Sequence, residues 1–129
     1  MRPDSAKFFI LVVEDDDSCR DMVTGLLSSA GYKVIGAKDF FKAIEVVEGP
    51  APIDLLLADV VMPPGTPHGI ALGRMAQLKR GQLKVMFMSS GIDPAEIDLL
   101  KDDDRFIRKP FSPRELIEAV DHAVAPLAA

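Results

Sequence analysis

The sequence predicts an α/β domain: a doubly wound, five-stranded parallel sheet with helices on both faces. Three observations lead there. Five short apolar runs recur at roughly even spacing, 8–13 (FFILVV), 33–37 (KVIGA), 53–58 (IDLLLA), 84–88 (KVMFM) and 105–108 (RFIR). Most lack a clean apolar/polar alternation, as expected of strands covered on both faces. Helical patterns fill the intervals, and connections this short between parallel strands run as right-handed crossovers.

The first helix follows the run 8–13. Its Cys19, Met22, Val23, Leu26 and Leu27 follow the i, i+3, i+4, i+7, i+8 spacing of a buried stripe, and it closes at Ala30-Gly31, where Gly suits a left-handed cap. A second helix starts after Asp39, carries Phe40, Ala43, Ile44 and Val47 on one stripe, and stops at Gly49-Pro50. The third, from about Gly69 to Lys79, has the weaker stripe Leu72, Met75, Ala76. The fourth opens with Asp93-Pro94-Ala95-Glu96 and the fifth with Ser112-Pro113-Arg114-Glu115. Each of these two supplies a capping side chain, Pro at the first helical position and Glu three residues after the cap. The last helix buries Leu116, Val120 and Val124. The run Asp102-Asp103-Asp104 reads as a solvated turn, His68 and His122 as surface residues, and Cys19 as core.

Composition narrows the function. With 129 residues, 48% of them apolar, the chain suits one domain, 1–129, with no repeat, linker or further output domain. Fifteen Lys+Arg against 20 Asp+Glu give a net charge of −5, so no basic stripe points to nucleic acid or to an anionic membrane surface. A single cysteine excludes an intrachain disulfide, no Cys/His cluster offers zinc ligands, and a reducing cytoplasm is expected. No stretch reads as a spanning helix or signal peptide. The expected partners are proteins and small ions.

In an open parallel sheet the functional crevice lies beyond the carboxyl ends of the strands, where the strand order reverses. For five strands the common order is 2-1-3-4-5, which puts that point between strands one and three. Strand one ends in Glu14-Asp15, strand three in Asp59, strand four in Ser89-Ser90, and strand five runs into Lys109-Pro110. Three carboxylates, a hydroxyl and an ammonium therefore converge. Two carboxylates 4 Å apart repel by about 4 kcal/mol at an effective dielectric near 20, a cost that a hard divalent cation relieves. Mg²⁺ fits, because it takes one or two protein carboxylates, keeps several waters and leaves room for phosphate oxygens. The set suits phosphoryl transfer to a carboxylate. Asp59, a lone acid followed by Val60-Val61-Met62-Pro63, is the nucleophile candidate.

These residues resemble the response-regulator receiver domains of two-component signalling. The resemblance spans nearly the whole chain, through ILVVEDD (10–16), LLLADVVMP (55–63), VMFMSSG (85–91) and FIRKPFSPREL (106–116). It implies a flavodoxin-like (βα)5 fold with sheet order 2-1-3-4-5. Asp59 matches the phosphoacceptor, Asp15 the direct Mg²⁺ ligand, Glu14 the acid that holds metal-bound water, and the Val61 backbone carbonyl a further ligand. Ser89 matches the hydroxyl that contacts the phosphoryl group, Lys109 the lysine before Pro, and Phe106 the aromatic switch position; Pro110 is expected to follow a cis bond. Two departures stand out: Phe106 replaces the more usual Tyr, and the loop VVMPPGTPHG is longer than usual, with three prolines.

The resemblance further implies phosphorylation by a histidine kinase or histidine phosphotransfer protein. The response would be a change in the surface of the fourth helix, fifth strand and fifth helix, read by a downstream effector protein or kinase and compatible with a phosphorylation-dependent homodimer. Such a protein catalyses only its own phosphorylation and dephosphorylation. Two alternatives remain at this point. Asp15-x-Asp17 looks superficially like the DxD of haloacid-dehalogenase-type phosphohydrolases, although 129 residues leave no cap domain and that reading gives Asp59 no role. The other is a phosphorylation-independent interaction module on the same fold, which predicts no Mg²⁺ binding.

Overall fold

The computed structural model describes residues 2–62, 68–90 and 101–128. The strands are β1 (Phe9–Val13), β2 (Lys33–Ala37), β3 (Leu55–Asp59), β4 (Lys84–Ser89) and β5 (Arg105–Arg108). All pairings are parallel, in the order β2-β1-β3-β4-β5. The helices are α1 (Asp17–Ser29), α2 (Phe40–Glu48), α3 (Gly69–Lys79) and α4 (Pro113–Val124). The helix expected from Asp93 and the prolines of the loop at 63–67 lie outside the described residues.

Alternate residues of the buried strands feed two cores. Leu11, Val13, Leu56, Ala58, Val85 and Phe87 face α2 and α3, whereas Ile10, Val12, Leu55, Leu57, Met86 and Met88 face α1 and α4. This is why β1 and β3 read as unbroken apolar runs: both sides of each are covered. The edges differ by a residue or two from the sequence reading. Phe8 turns its amide back onto the Ser5 carbonyl (3.1 Å), so β1 begins at Phe9. β3 begins at Leu55; the preceding Asp54 still bonds both neighbours, its amide donating to the Phe9 carbonyl at 2.9 Å and its carbonyl accepting from the Lys84 amide at 3.1 Å, while its Oδ2 accepts from the Phe9 amide at 2.8 Å. At their far ends β3 and β4 each run one residue further, to Asp59 and Ser89.

Local chemistry sets the helix starts. Asp16, Asp39 and Ser112 each accept an N-terminal amide with the side chain, and Ser112 with Glu115 completes a capping box, worth about 1 kcal/mol for the cap alone. His68 caps α3, Nδ1 accepting from the Ala71 amide at 3.2 Å. Gly31 takes φ 101°, the left-handed turn between α1 and β2. The weak stripe of α3 has a physical reason: its buried side is Ile70, Leu72, Gly73 and Ala76, while Met75 is exposed. Gly73 leaves room for Phe87, whose ring would lie 3.0 Å from a Cβ there.

The acidic run before β5 departs from expectation. Asp102 and Asp103 are exposed, but the side chain of Asp104 is 1% exposed and pairs with Arg74 of α3. Its carboxylate also accepts from the Lys101 amide at 2.8 Å, so the turn folds around a buried ion pair. Among the described residues no helix is long and apolar enough to cross a membrane.

Candidate functional site

Ladder-type hydrogen bonds continue one residue past three strands and fix the site backbone there. The Glu14 amide donates to the Ala37 carbonyl (3.1 Å), the Val60 amide to Met88 (2.9 Å) and the Lys109 amide to Ser89 (2.8 Å). Glu14, Asp59 and Lys109 are thus delivered by the sheet itself, and Lys109 is joined to Pro110 through a cis peptide bond. Past Asp59 the chain returns so closely that the Gly69 amide donates to the Val60 carbonyl at 2.8 Å. A Cβ on Gly69 would lie 2.0 Å from the Asp59 carbonyl oxygen, so only glycine fits.

The Lys109 ammonium bridges two carboxylates, 2.7 Å from Glu14 Oε2 and 2.8 Å from Asp59 Oδ2. Asp59 Oδ1 accepts from the Val61 amide at 3.1 Å, and Glu14 Oε1 from the Asp16 amide at 3.1 Å. Both acids are buried, whereas Asp15 is exposed. Burial opposes the Lys109 ammonium, but hydrogen bonds to Asp59 and Glu14 outweigh it and raise its pKa above the ordinary lysine value. Burial pushes the Glu14 carboxyl up, against the lysine's contrary pull.

One carboxylate oxygen each of Glu14, Asp15 and Asp59 lies within 4.8 Å of the others. Three carboxylates facing one ammonium leave an excess of negative charge, and their oxygens are the hard donors that Mg²⁺ takes. The donor set therefore fits the ion inferred from the sequence. Asp17, the second acid of the DxD alternative, stands apart from this cluster, ion-paired with Arg20 at 2.6 Å and 84% exposed.

Ser89 is buried at the end of β4, beside Asp59 in the sheet order. Phe106 on β5 is half-buried against Phe87, ring centroids 5.5 Å apart. Cys19 and Met22 of α1, together with Ser90, Lys109, Pro110 and Phe111, line a groove of about 440 Å³ beside the site. Burial and the neighbouring Glu14 push the Cys19 thiol up, which keeps it protonated and poorly nucleophilic. One contributor escaped the sequence reading: Arg20, which donates to the Glu14 carbonyl at 2.9 Å. Its only sequence signal was its place three residues after Asp17 on a helix.

The family model for the response regulator receiver domain matches residues 10–121. The chain belongs to this receiver-domain family. Receiver domains are signalling modules of two-component systems, and the dehalogenase-type alternative is not favoured. The receiver domain is 35% identical over 128 residues to the phosphate regulon transcriptional regulatory protein PhoB of Escherichia coli, covering 92% of this chain and 54% of that protein. It spans about half the length of the curated relatives it matches. The receiver domain of the hybrid histidine kinase CckA superposes with a TM-score of 0.74 at 34% identity, covering 90% of this chain and 98% of that one. A response regulator receiver protein of Sinorhizobium medicae gives 0.82 at 24% identity, covering 92% and 94%, a likeness of fold.

Proposed function

We propose that this receiver domain accepts a phosphoryl group on Asp59 from the phosphohistidine of a cytoplasmic histidine kinase or histidine phosphotransfer protein. The observation that carries the reading is the pairing of Asp59 and Glu14 through Lys109, with Asp15 alongside. An Asp59 carboxylate oxygen attacks phosphorus, the phosphorus–nitrogen bond of the donor breaks, and the imidazole leaves with a proton from solvent. Asp59 needs no general base, because it reacts as the carboxylate. Its two oxygens are already oriented, one by the Val61 amide and one by Lys109. The raised Lys109 pKa keeps an ammonium at the site, ready to neutralise phosphoryl oxygens.

Asp15, Glu14, Asp59 and the Val61 carbonyl would hold Mg²⁺, which when bound offsets the charge of carboxylate and phosphoryl group. Phosphorylation adds roughly −1.5 to −2 charge at Asp59. Ser89 and Lys109 then engage the phosphoryl oxygens, and the half-buried Phe106 follows the end of β4, altering the surface of β5 and α4 that a downstream protein reads.

Labelling with acetyl phosphate tests this. The chain incorporates phosphate in the presence of Mg²⁺; Asp59→Asn and Asp15→Asn do not. Label that persists in Asp59→Asn but vanishes in Asp15→Asn would move the acceptor to Asp15 and restore the phosphohydrolase reading. A wild-type chain that neither labels nor binds Mg²⁺ would favour a phosphorylation-independent module.

A further inference from the structure

Arg20 sits where helix electrostatics disfavour it. A cation in the first turn opposes the positive end of the helix dipole. Yet its side chain is only 19% exposed and makes two short bonds, Nη1 to the Glu14 carbonyl at 2.9 Å and Nη2 to Asp17 Oδ1 at 2.6 Å. Its aliphatic stem lies over Gly36 of β2, where a Cβ would stand 3.4 Å from Arg20 Cδ and 3.4 Å from Thr24 Cγ2. The edge strand thus leaves a bare floor for this side chain.

The bonds of the surrounding turn converge on one peptide. The Asp16 amide donates to Glu14 Oε1, Asp16 Oδ1 accepts from the Cys19 amide at 2.7 Å, and the Asp16 carbonyl accepts from the Arg20 amide at 2.9 Å. These fix the residue after Asp15. The residue before it, Glu14, is held by Ala37 at its amide and by Arg20 at its carbonyl. The carbonyl of Glu14 is half of the peptide group that leads into Asp15, so Arg20 is the side chain that fixes the plane of that peptide.

We propose that Arg20 is a positioning residue for the metal: by bonding the Glu14 carbonyl it sets where the Asp15 carboxylate stands relative to Glu14 and Asp59, and so sets the affinity and selectivity of the acidic centre for Mg²⁺. The proposal rests on the metal reading given above. It makes a prediction of opposite sign to the electrostatic one. If Arg20 acted only through its charge, it would repel a cation, and its removal would tighten binding. As a positioning residue, its removal weakens binding. Mg²⁺ demands near-ideal octahedral geometry, whereas Ca²⁺ accepts six to eight oxygens in a flexible arrangement, so misplacing Asp15 should harm Mg²⁺ more.

The test is calorimetric titration of Mg²⁺ and of Ca²⁺, at constant ionic strength, into the wild-type chain, Arg20→Ala, Arg20→Lys and Gly36→Val, each checked for folding by circular dichroism. Arg20→Ala should weaken Mg²⁺ about tenfold, the lower end of effects seen on removing groups that orient metal ligands. Ca²⁺ should weaken less, so the discrimination narrows. Arg20→Lys keeps the charge but lacks the planar fork that spans two acceptors, and should also weaken Mg²⁺. Gly36→Val keeps the guanidinium and displaces its stem, with the same outcome, and serves if Arg20→Ala does not fold. Mg²⁺ binding unchanged or tighter in Arg20→Ala, or equal losses for the two ions, would overturn the proposal. A wild-type chain that binds neither ion would overturn the metal reading itself, and the two failures are distinguished by the wild-type titration.

Discussion

Beyond the carboxyl ends of β1, β3 and β5, one ammonium pairs with two of three clustered carboxylates; at the other end of the sheet, where Tyr32 leads into β2, one carboxylate is shared by a guanidinium and a phenol. In this second cluster Asp121 of α4 is buried, accepts from Arg2 Nε at 2.8 Å and takes the Tyr32 hydroxyl. Arg2 also reaches the Ala30 carbonyl at 3.1 Å, which Ser5 Oγ shares at 2.8 Å, so the cluster ties the start of the chain to the ends of α1 and α4. Its charges cancel within the chain. Those of Glu14, Asp15, Asp59 and Lys109 do not. Buried charge persists when it is paired, so the balanced cluster is complete as folded, while the unbalanced one keeps an excess of negative charge and the oxygen donors that suit a cation. One polar cluster is neutral and closed within the fold; the other is left with a net negative charge.

The strongest way to break that distinction is at Asp121. Asp121→Ala leaves the Tyr32 hydroxyl buried without its acceptor, and should lower stability by about 2 kcal/mol, within the range for an orphaned buried polar group. Urea denaturation reads the change as a lower midpoint. Phosphate incorporation per folded molecule should be unaltered. Loss of labelling in a folded Asp121→Ala chain would mean that the two ends of the sheet are coupled and that the second cluster is more than structural.

The two clusters were unequally legible in the sequence. Glu14, Asp15, Asp59 and Lys109 each stand directly after or at the end of an apolar run, and the topology of a parallel sheet brings such ends together; strand ends suffice to find them. The capping box at Ser112 and Glu115 was legible because its partners are three residues apart. Arg2, Tyr32 and Asp121 lie far apart in sequence, with no motif linking them. One signal was present: Asp121 stands between Val120 and Val124 at the edge of the stripe that begins with Leu116, a charged residue beside an apolar face that must find a partner. Asp104 was hidden by its neighbours, since Asp102 and Asp103 are exposed and only the tertiary placement of Arg74 distinguishes the third acid.

A second test sharpens the contrast through stability and metal together. At 4.8 Å two unit charges repel by about 0.9 kcal/mol at the dielectric of water, and Asp15 is exposed enough for that limit to apply. Asp15→Asn in metal-free buffer should therefore stabilise the chain by about 1 kcal/mol, opposite in sign to Asp121→Ala. Mg²⁺ at ten times its dissociation constant should stabilise the wild type by about 1.4 kcal/mol and the Asp121→Ala chain by as much, but Asp15→Asn by little. Thermal unfolding with and without Mg²⁺ measures all three. Asp15→Asn that destabilises the metal-free chain would show the acidic centre to be balanced after all.

The smallest effect appears only in alkali. Tyr32 is the single tyrosine and the chain has no tryptophan, so absorbance at 295 nm reads its phenol alone. Burial, then its hydrogen bond to Asp121, raises the Tyr32 pKa well above the ordinary value of about 10. The folded state therefore keeps a proton that the unfolded state loses, and stability falls as pH rises from about 10 toward the folded value. One such group removes about 0.8 kcal/mol at half a pH unit above 10, about half as much at 10, and almost nothing a full unit below. Lys109, also raised, adds a loss of the same sign from about 10.5, and Tyr32→Phe separates the two by removing only the phenol's share. A spectrophotometric titration of the folded chain should place the phenol's ionisation beyond its usual range, and Asp121→Asn should bring it back toward 10. A phenol that titrates near 10 in the folded wild type would mean that Asp121 and Tyr32 are open to water, and enclosure would no longer distinguish the balanced cluster from the acidic centre.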